Sequence, residues 1–288
     1  MSPFGRLFSF EINPVLSSSP PRTRARSSLV ALHMGSKIKQ LMQQWPTGQV
    51  ATTRWLSSLG VDRRLADKYV QSGWLERIGH GAYRRAGTHI NWIGAVQTLQ
   101  KQLSLTVHPG GITALELHGY SHYVAFGPRE VLLFGNPGTK LPAWFEAYPW
   151  SRPVRLVTSR LFASNEFSGS RLSIDLVELD VATPERAALE MMYLVPKRQS
   201  FEEACQVVEA LTTLRPLFLQ SLLESCTSVK TKRLFMHAAE RANHAWLKHL
   251  DLSGVDFGSG RRTIHAGGRL DRKYDLIVAD HTLGQPDP

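Results

Sequence analysis

Turn-forming residues divide the segment 36–86 into short pieces, and this division limits it to a small module of helices and a hairpin. From Ile38 to Trp45, apolar residues recur at i, i+3, i+4 and i+7, the spacing of one helical face. Ser36 is the predicted N-cap of this helix, and Pro46 ends it. The segment therefore opens with a short amphipathic helix.

Two more short helices follow, separated by a glycine turn. One is predicted at about Thr52 to Leu59, and the next runs from its cap, Asp62, to about Ser72. Gly60 provides the turn between them, and Gly73 lies where a left-handed residue commonly ends a helix. On the third helix the apolar residues form one stripe and the charged residues face outward. This arrangement is typical of a helix-turn-helix.

A glycine-containing hairpin comes directly after these helices. Residues Trp74–Ile78 and Ala82–Arg85 have the composition of strands, and they flank the turn Gly79-His80-Gly81. The two arms of this hairpin carry three arginines. A helix-turn-helix followed by a basic hairpin predicts a winged helix-turn-helix.

The net charge of the chain is +10, and nearly all of it lies in the first 86 residues. Residues 1–35 carry four arginines against one glutamate, and residues 36–86 carry nine basic residues against three acidic ones. A basic module joined to a neutral body is the charge distribution of a nucleic-acid-binding protein. A generic solubilising surface is the alternative explanation of the charge.

The sequence divides into three parts. Residues 1–35, rich in Ser, Pro and Arg, are expected to form a disordered basic arm, or a dispensable leader ahead of a true start at Met34. Residues 36–88 form the predicted winged helix-turn-helix, and residues 89–288 a larger domain. The predicted fold class is α+β: an N-terminal winged helix-turn-helix followed by a larger mixed α/β domain.

The larger domain shows signals for both helices and strands. Thr183, followed by Pro184, is a strong helix start, and Ser200 begins a capping box. Further helices are predicted at about Asn91–Leu103, Leu214–Cys226 and Val229–Leu250. Strands are predicted at Glu130–Phe134, Pro153–Val157 and Leu172–Leu179, with a final hairpin of Arg262–His265 and Leu270–Val278.

The residues expected to contact DNA lie in three places. Side chains of the third helix would enter the major groove, where Arg suits guanine edges and Gln suits adenine edges. The start of the second helix would meet phosphate, and the hairpin would hold the backbone or the minor groove. The predicted DNA-binding residues are Thr52, Thr53, Arg54, Arg63, Arg64, Lys68, Gln71, Arg77, His80, Arg84 and Arg85.

Four blocks of sequence resemble a known family, the AbiEi antitoxins and transcriptional regulators of type IV toxin–antitoxin systems. Together they indicate a resemblance over about Ser36 to Ala279. The blocks are Gly73–Tyr83, His108–Tyr123, Ala182–Ala187, and Gly258–Arg262 with Gly267–Asp271.

The resemblance implies a function. It implies a bacterial two-gene operon whose second product is a nucleotidyltransferase-type toxin. The winged domain would repress the operon by binding inverted repeats in the promoter. The C-terminal domain would be needed for antitoxicity, which in the type IV scheme does not require a stable complex with the toxin.

Metal binding and catalysis are the alternatives to be weighed. His118 and His122 are spaced i, i+4, but Gly119 breaks the helix between them, no Glu follows His118, and no Cys pair is near. Cys205 and Cys226 lie in amphipathic helices and are expected to be buried thiols, not nucleophiles. No metal site, cofactor or catalytic residue is therefore predicted.

A DNA-targeted nuclease remains the rival function, and a protein-interaction module carrying a winged helix is the third. Asp175 and Glu178 are candidate nuclease acids, but at that spacing on one strand they would face opposite sides. Gly258-Ser259-Gly260 is either a turn leading into a strand or an anion-binding nest. It lacks the lysine and the helix of a P-loop.

Composition sets the expected compartment. The two cysteines give no disulfide framework, and the longest apolar runs are strand-sized. No continuous hydrophobic signal core occurs near the N-terminus. The sequence predicts a cytoplasmic protein.

Overall fold

The computed structural model describes residues 37–120, 130–163, 169–175 and 177–279. Helices and strands are both plentiful and are mixed along the chain, which confirms the α+β class. The helices are α1 (residues 37–44), α2 (Thr53–Ser58), α3 (Arg63–Gln71), α4 (Trp92–Lys101), α5 (Gly111–Leu117), α6 (Ala143–Ala147), α7 (Pro184–Leu194), α8 (Phe201–Ala210), α9 (Pro216–Ser225) and α10 (Val229–Arg241). The strands are β1 (Ala51–Thr52), β2 (Leu75–Gly79), β3 (Ala82–Arg85), β4 (Val107–Pro109), β5 (Val131–Gly135), β6 (Val154–Thr158), β7 (Gly169–Ile174), β8 (Val177–Ala182), β9 (Arg262–Thr263), β10 (Arg269–Asp271) and β11 (Leu276–Val278).

Helix α1 has the predicted apolar face. Ile38, Leu41 and Trp45 are buried, and the Trp45 N–H donates to the carbonyl of Leu41 at 3.0 Å. The predicted cap Ser36 and the predicted arm, residues 1–35, lie outside the described residues.

Strands β1, β2 and β3 form one antiparallel sheet in the order β1-β3-β2, and α2 and α3 lie between β1 and β2 in the chain. The hairpin of β2 and β3 is the predicted one, with its turn at residues 80–81. Strand β1 was not predicted, because two residues are too few to show a period. The order of two helices followed by a hairpin is the predicted one, and the assignment as a winged helix-turn-helix stays a prediction.

The caps of α2 and α3 explain why these helices start where they do. The Thr52 hydroxyl accepts from the N–H of Trp55 at 3.2 Å, and the Asp62 carboxylate accepts from the N–H of Leu65 at 2.8 Å. Each bond satisfies an N–H that has no partner within the helix. At the other end of α3, Gly73 has a φ of +74°, so the predicted left-handed terminus is present.

Helix α4 fastens strand β1 to the rest of the protein. The side-chain carbonyl of Gln102, at its end, accepts from the Thr52 N–H at 2.9 Å and from the Thr52 hydroxyl at 3.0 Å. The Gln102 amide donates to the carbonyl of Val50 at 2.9 Å, and the Thr98 hydroxyl donates to the same carbonyl at 3.0 Å. One continuous core runs from Val50 to Val278, across the predicted boundary at residue 88, which stays a prediction.

These contacts make Gln102 a test of how α4 supports β1. We expect Gln102→Ala to lower the free energy of unfolding by about 1–3 kcal/mol, because it removes the side-chain partners of a Thr52 N–H and hydroxyl that are buried. Urea unfolding measures the change. Gln43→Ala, at an exposed position of α1, is the control and should change it by less than about 0.5 kcal/mol. Equal effects of the two substitutions would contradict the prediction.

The larger part of the chain is built on a three-stranded sheet in the order β4-β5-β6. Strand β4 is antiparallel to β5, and β5 is parallel to β6, with Leu133 opposite Leu156. Helix α7 is buried along most of its length and packs against α5, α8, α9 and α10. Its predicted start is confirmed, since the Thr183 hydroxyl accepts from the N–H of Arg186 and Pro184 is the first helical residue.

Two strand predictions were wrong. The single strand predicted at Leu172–Leu179 is a hairpin of β7 and β8, which reverses at Asp175 with a φ of +47°. The predicted final hairpin of Arg262–His265 and Leu270–Val278 does not form, because β9 pairs with β11 in parallel while β10 forms the hairpin with β11. In both cases the composition was that of strands, but the pairing depended on residues distant in the chain.

One helix prediction was too long, and three elements besides β1 were missed. The helix predicted at Val229–Leu250 ends at Arg241, where Asn243 takes a φ of +50°, and a 3₁₀ turn, Ala245–His249, follows. The elements missed are β4, α5 and α6, which have three, seven and five residues. Elements this short carry too few residues for a period to be read.

Candidate nucleic-acid interface

Helix α3 presents the strongest basic surface of the predicted interface. Its apolar residues Ala66 and Tyr69 are buried, so the opposite face is turned to solvent. On that face Arg63, Arg64 and Lys68 are exposed. Within the described part of the chain, none of these three side chains forms an ion pair or hydrogen bond, so their charges are available to an anionic partner. Gln71, one turn further along, is also exposed.

The hairpin arginines, in contrast, already have partners within the protein. Arg77 forms an ion pair with Asp67 of α3, and its guanidinium lies 5.6 Å from the centre of the Tyr83 ring. Arg85 donates to the hydroxyl of Thr47 at 3.2 Å. Contact of either arginine with DNA would therefore exchange one partner for another.

Arg84 is the most firmly held of the three. It lies opposite Glu76 in the β2–β3 register, and its guanidinium donates twice to that carboxylate. Glu76 also accepts from the N–H of Gly87 at 2.9 Å, and this bond, together with Arg84, lowers the pKa of the Glu76 carboxyl. The side chain of Arg84 is 27% exposed. Its charge is largely neutralised inside the hairpin.

The start of α2 offers less than the sequence indicated. Thr52 is buried, and its N–H and hydroxyl are bonded to Gln102 and Trp55, so neither group is free to meet phosphate. The Thr53 N–H donates to the carbonyl of Gly81 at 2.9 Å. Arg54 remains exposed and makes no ion pair among the described residues.

A groove of about 460 Å³ brings several of these residues together. Arg54, Arg63, Arg77 and His80 line it on the side of the helices and the hairpin. Its other side is apolar and includes Trp144 of α6. The groove therefore has basic side chains from the helices and the hairpin on one side and Trp144 on the other. The sequence alone did not predict that Trp144 lies there.

The metal and cysteine alternatives gain no support from the geometry. Within the described ranges no group of three potential ligands could hold a metal ion, and His122 lies outside them. His118 is bonded to the carbonyl of Ala182 at 2.9 Å. Cys205 and Cys226 are buried as predicted, and burial raises the pKa of the Cys205 thiol to about 12.

The Gly258–Gly260 loop is a turn that points its carbonyls inward. Arg233 of α10 donates to the carbonyls of Phe257, Gly258 and Gly260 at 2.8, 3.0 and 2.7 Å. An anion nest requires backbone N–H groups to converge, but here the converging groups are carbonyls and the bound group is a cation. This loop supports the strand-entry alternative.

A buried cluster of three polar residues, His108, Arg186 and Glu190, lies in the larger part of the chain. Glu190 accepts from His108 at 2.9 Å, from Arg186 at 2.8 Å and from the N–H of Gly111 at 3.2 Å. Burial alone would raise the pKa of Glu190, but the two neighbouring basic groups outweigh it and hold the pKa below its usual value. The adjoining cavity, about 30 Å³, has room for water-sized molecules only.

No helix among the described residues is both long and apolar enough to cross a membrane.

Two family models match the chain, and both describe transcriptional regulators. One is described as the N-terminal domain of the AbiEi antitoxin regulator and matches residues 34–126. The other is described as a transcriptional regulator, AbiEi antitoxin, of a type IV toxin–antitoxin system, and matches residues 128–279. The α+β fold and these matches define a regulatory antitoxin. The chain belongs to the AbiEi family.

One solved structure with a similar fold is the crystal structure of the RV2827C protein from Mycobacterium tuberculosis. The TM-score is 0.56 at 16% sequence identity, over 85% of this chain and 90% of that chain. At this identity the likeness shows the fold alone. No curated protein sequence matches the chain at a significant level.

Proposed function

We propose that this protein binds the promoter of its own operon through the helix α3 surface, represses that operon, and counteracts a nucleotidyltransferase-type toxin encoded with it. One observation carries the proposal: Arg63, Arg64 and Lys68 are exposed, and unpaired within the described ranges, on a helix that follows α2 and a glycine turn and precedes a hairpin. An exposed basic helix in that position suits the major groove. The family's description as a transcriptional regulator supports it.

The proposed contacts fall into two sets, according to whether the side chain already has a bonding partner within the protein. Arg63, Arg64 and Gln71 read base edges, since no described residue occupies their donors. Lys68, Arg54 and His80 hold phosphate, and Thr53 lies beside them at the start of α2. A second set contributes less, because each member first exchanges a partner within the protein: Arg77, Arg84 and Arg85.

Binding isotherms on a duplex from the chain's own promoter region and on a scrambled duplex, at several salt concentrations, test the DNA-binding half. We expect preference for the promoter duplex and affinity that falls with salt, because released counterions drive the phosphate contacts. Equal, salt-insensitive affinity for the two duplexes would contradict the proposal and favour the protein-interaction alternative.

The nuclease and antitoxin questions need separate assays. The same duplexes, incubated with the protein and Mg²⁺ or Mn²⁺, are expected to remain intact, and cleavage would favour the nuclease alternative.

For antitoxicity, co-expression of this protein with the adjacent toxin gene is expected to restore growth. A variant that lacks repression through loss of Arg63 and Arg64 should still restore growth if the two activities reside in different parts of the chain.

A further inference from the structure

The hairpin of β2 and β3 touches helix α6, which lies in the region matched by the second family model. Gly79, the last residue of β2, is the point of contact. A Cβ atom at Gly79 would lie 2.6 Å from the Cβ of Trp144 and 3.1 Å from its Cα. Real Cβ atoms do not approach so closely, so the glycine is required by the proximity of α6.

A second contact lies just beyond α6. The Arg84 guanidinium is 3.5 Å from the hydroxyl of Tyr148, and Glu76 holds that guanidinium in place from the other side. The hairpin is therefore held to α6 at the end of β2, where Gly79 lies against the Cα and Cβ of Trp144, and in β3, through Arg84.

The side of α6 that receives the hairpin is itself firmly packed. Trp144 is 5% exposed, and its ring contacts that of Phe145 with centroids 5.6 Å apart. Phe145 packs on Trp150 at 5.0 Å, and Trp150 on Tyr148 at 4.4 Å. The Trp150 indole N–H donates to the carbonyl of Phe145 at 2.8 Å. These contacts pack α6 against the residues that follow it, and the hairpin contacts this packed segment.

We infer that Trp144, with Tyr148, is a positioning residue for DNA binding: it fixes the hairpin relative to α3, so the second family domain is part of the DNA-binding unit. The inference rests on the proposed function. Trp144 also lines the groove that Arg54, Arg63 and His80 border. A hairpin released from α6 would have to be ordered again on every binding event, and that ordering costs affinity.

Trp144→Ala in the full chain tests the inference: it keeps the Cα and Cβ that meet Gly79 but removes the ring that packs on Phe145, and so loosens α6 where the hairpin contacts it. We expect it to weaken binding to the promoter and scrambled duplexes together, by about 5- to 10-fold, because the hairpin holds backbone and does not read bases. The salt slope should fall by roughly one for each phosphate that the hairpin no longer binds. In hydrogen exchange, the amides of residues 75–85 should exchange faster. Trp144→Phe keeps an aromatic ring beside Phe145 and should restore most of the affinity.

Trp246→Ala is the matched control for the general effect of removing a buried indole. Trp246 is 4% exposed, packs against His244 and Phe235, and donates its indole N–H to the carbonyl of Leu211, all of them far beyond the hairpin in the chain. The variant should be destabilised comparably, yet keep its DNA affinity and the exchange rates of residues 75–85. Equal effects of the two substitutions on affinity would overturn the inference.

Gly79→Ala provides a variant that leaves no cavity, in case Trp144→Ala fails to fold. The added methyl group should push the hairpin away from α6 and weaken binding to both duplexes, as is expected for Trp144→Ala. Gly254→Ala is its control, because an added Cβ there meets only the carboxylate end of Glu224, at 3.2 Å. Unchanged affinity in Gly79→Ala would overturn the inference.

The exchange measurement separates this inference from the proposed function. If the unmodified protein binds no duplex, the proposed function fails, but hydrogen exchange still reports on the hairpin. Faster exchange confined to residues 75–85 in Trp144→Ala would then support the positioning contact, and unchanged exchange would overturn it.

Discussion

Replacing Glu190 by Gln is expected to lower the free energy of unfolding by about 3–5 kcal/mol, the usual cost of breaking a buried ion pair from one side. Glu190 is 1% exposed, and its carboxylate is the shared acceptor for His108 and Arg186. The Arg186 guanidinium also lies 4.5 Å from the centre of the Phe162 ring. A neutral amide leaves these basic groups buried without the negative charge that stabilises them.

Urea unfolding at pH 7 measures this destabilisation, with Glu178→Gln as the control. Glu178 is exposed on β8, and its carboxylate makes no ion pair among the described residues, so its replacement should change stability by less than about 0.5 kcal/mol. A similar, small change in both variants would show that Glu190 does not stabilise the fold as a carboxylate.

The same cluster sets the sign of a pH dependence. Because the pKa of Glu190 is lower in the folded than in the unfolded protein, its charge adds stability at all pH values above the unfolded value, near 4.5. That stability is lost as pH falls through the lower, folded pKa. The difference between the parent protein and Glu190→Gln should therefore be largest near neutrality and shrink below about pH 4.5. A difference independent of pH would contradict this account.

The second large effect concerns recognition of DNA. We expect Arg63→Ala and Arg64→Ala each to reduce the preference for the promoter duplex over a scrambled one by roughly 10- to 100-fold, the discrimination of a bidentate base contact being about 1–3 kcal/mol. Both arginines lie in the first turn of α3, the end that usually enters the groove, and neither has a partner to release among the described residues. Affinity for the scrambled duplex should change much less.

The hairpin supplies the matched comparison. Arg84→Ala combined with Arg85→Ala should lower affinity for both duplexes together, because it removes the two guanidinium groups and the contact of Arg84 with Tyr148. Isotherms at several salt concentrations measure both quantities. If the hairpin variant loses specificity and the α3 variants do not, the hairpin reads the bases and the assignment is inverted.

Features that depend on residues close together in the chain were predicted correctly from the sequence. Asp62, Thr183 and Ser200 all cap the helices predicted to start there, since a cap needs only a side chain and an N–H two or three residues away. The hairpin around His80 was predicted for the same reason. Its glycines and flanking strands are neighbours in sequence as well as in space.

Pairings between distant residues were the ones that failed. The parallel pairing of β9 with β11 joins Thr263 to Ile277, and neither strand's composition states which strand is its partner. The extra reversal at Asp175 likewise depends on where β8 meets β7. Every strand offers the same backbone N–H and C=O groups to a neighbouring strand. Strand-like composition therefore predicts that a strand forms, but it does not identify the strand with which it pairs.

By itself, the sequence determined the order of short helices and hairpin, the concentration of positive charge in residues 1–86, and the family. Only the tertiary structure decided which of those charges is available. Arg84 faces Glu76 across the hairpin, and Arg77 reaches Asp67 of the preceding helix, while Arg63 and Arg64 have no such partner in the described part of the chain. The contact of Gly79 with Trp144 joins residues far apart in the chain. The number of charged residues follows from the composition. The electrostatic field around each charge depends on the groups within a few ångströms of it, and the packing of the chain sets which groups those are.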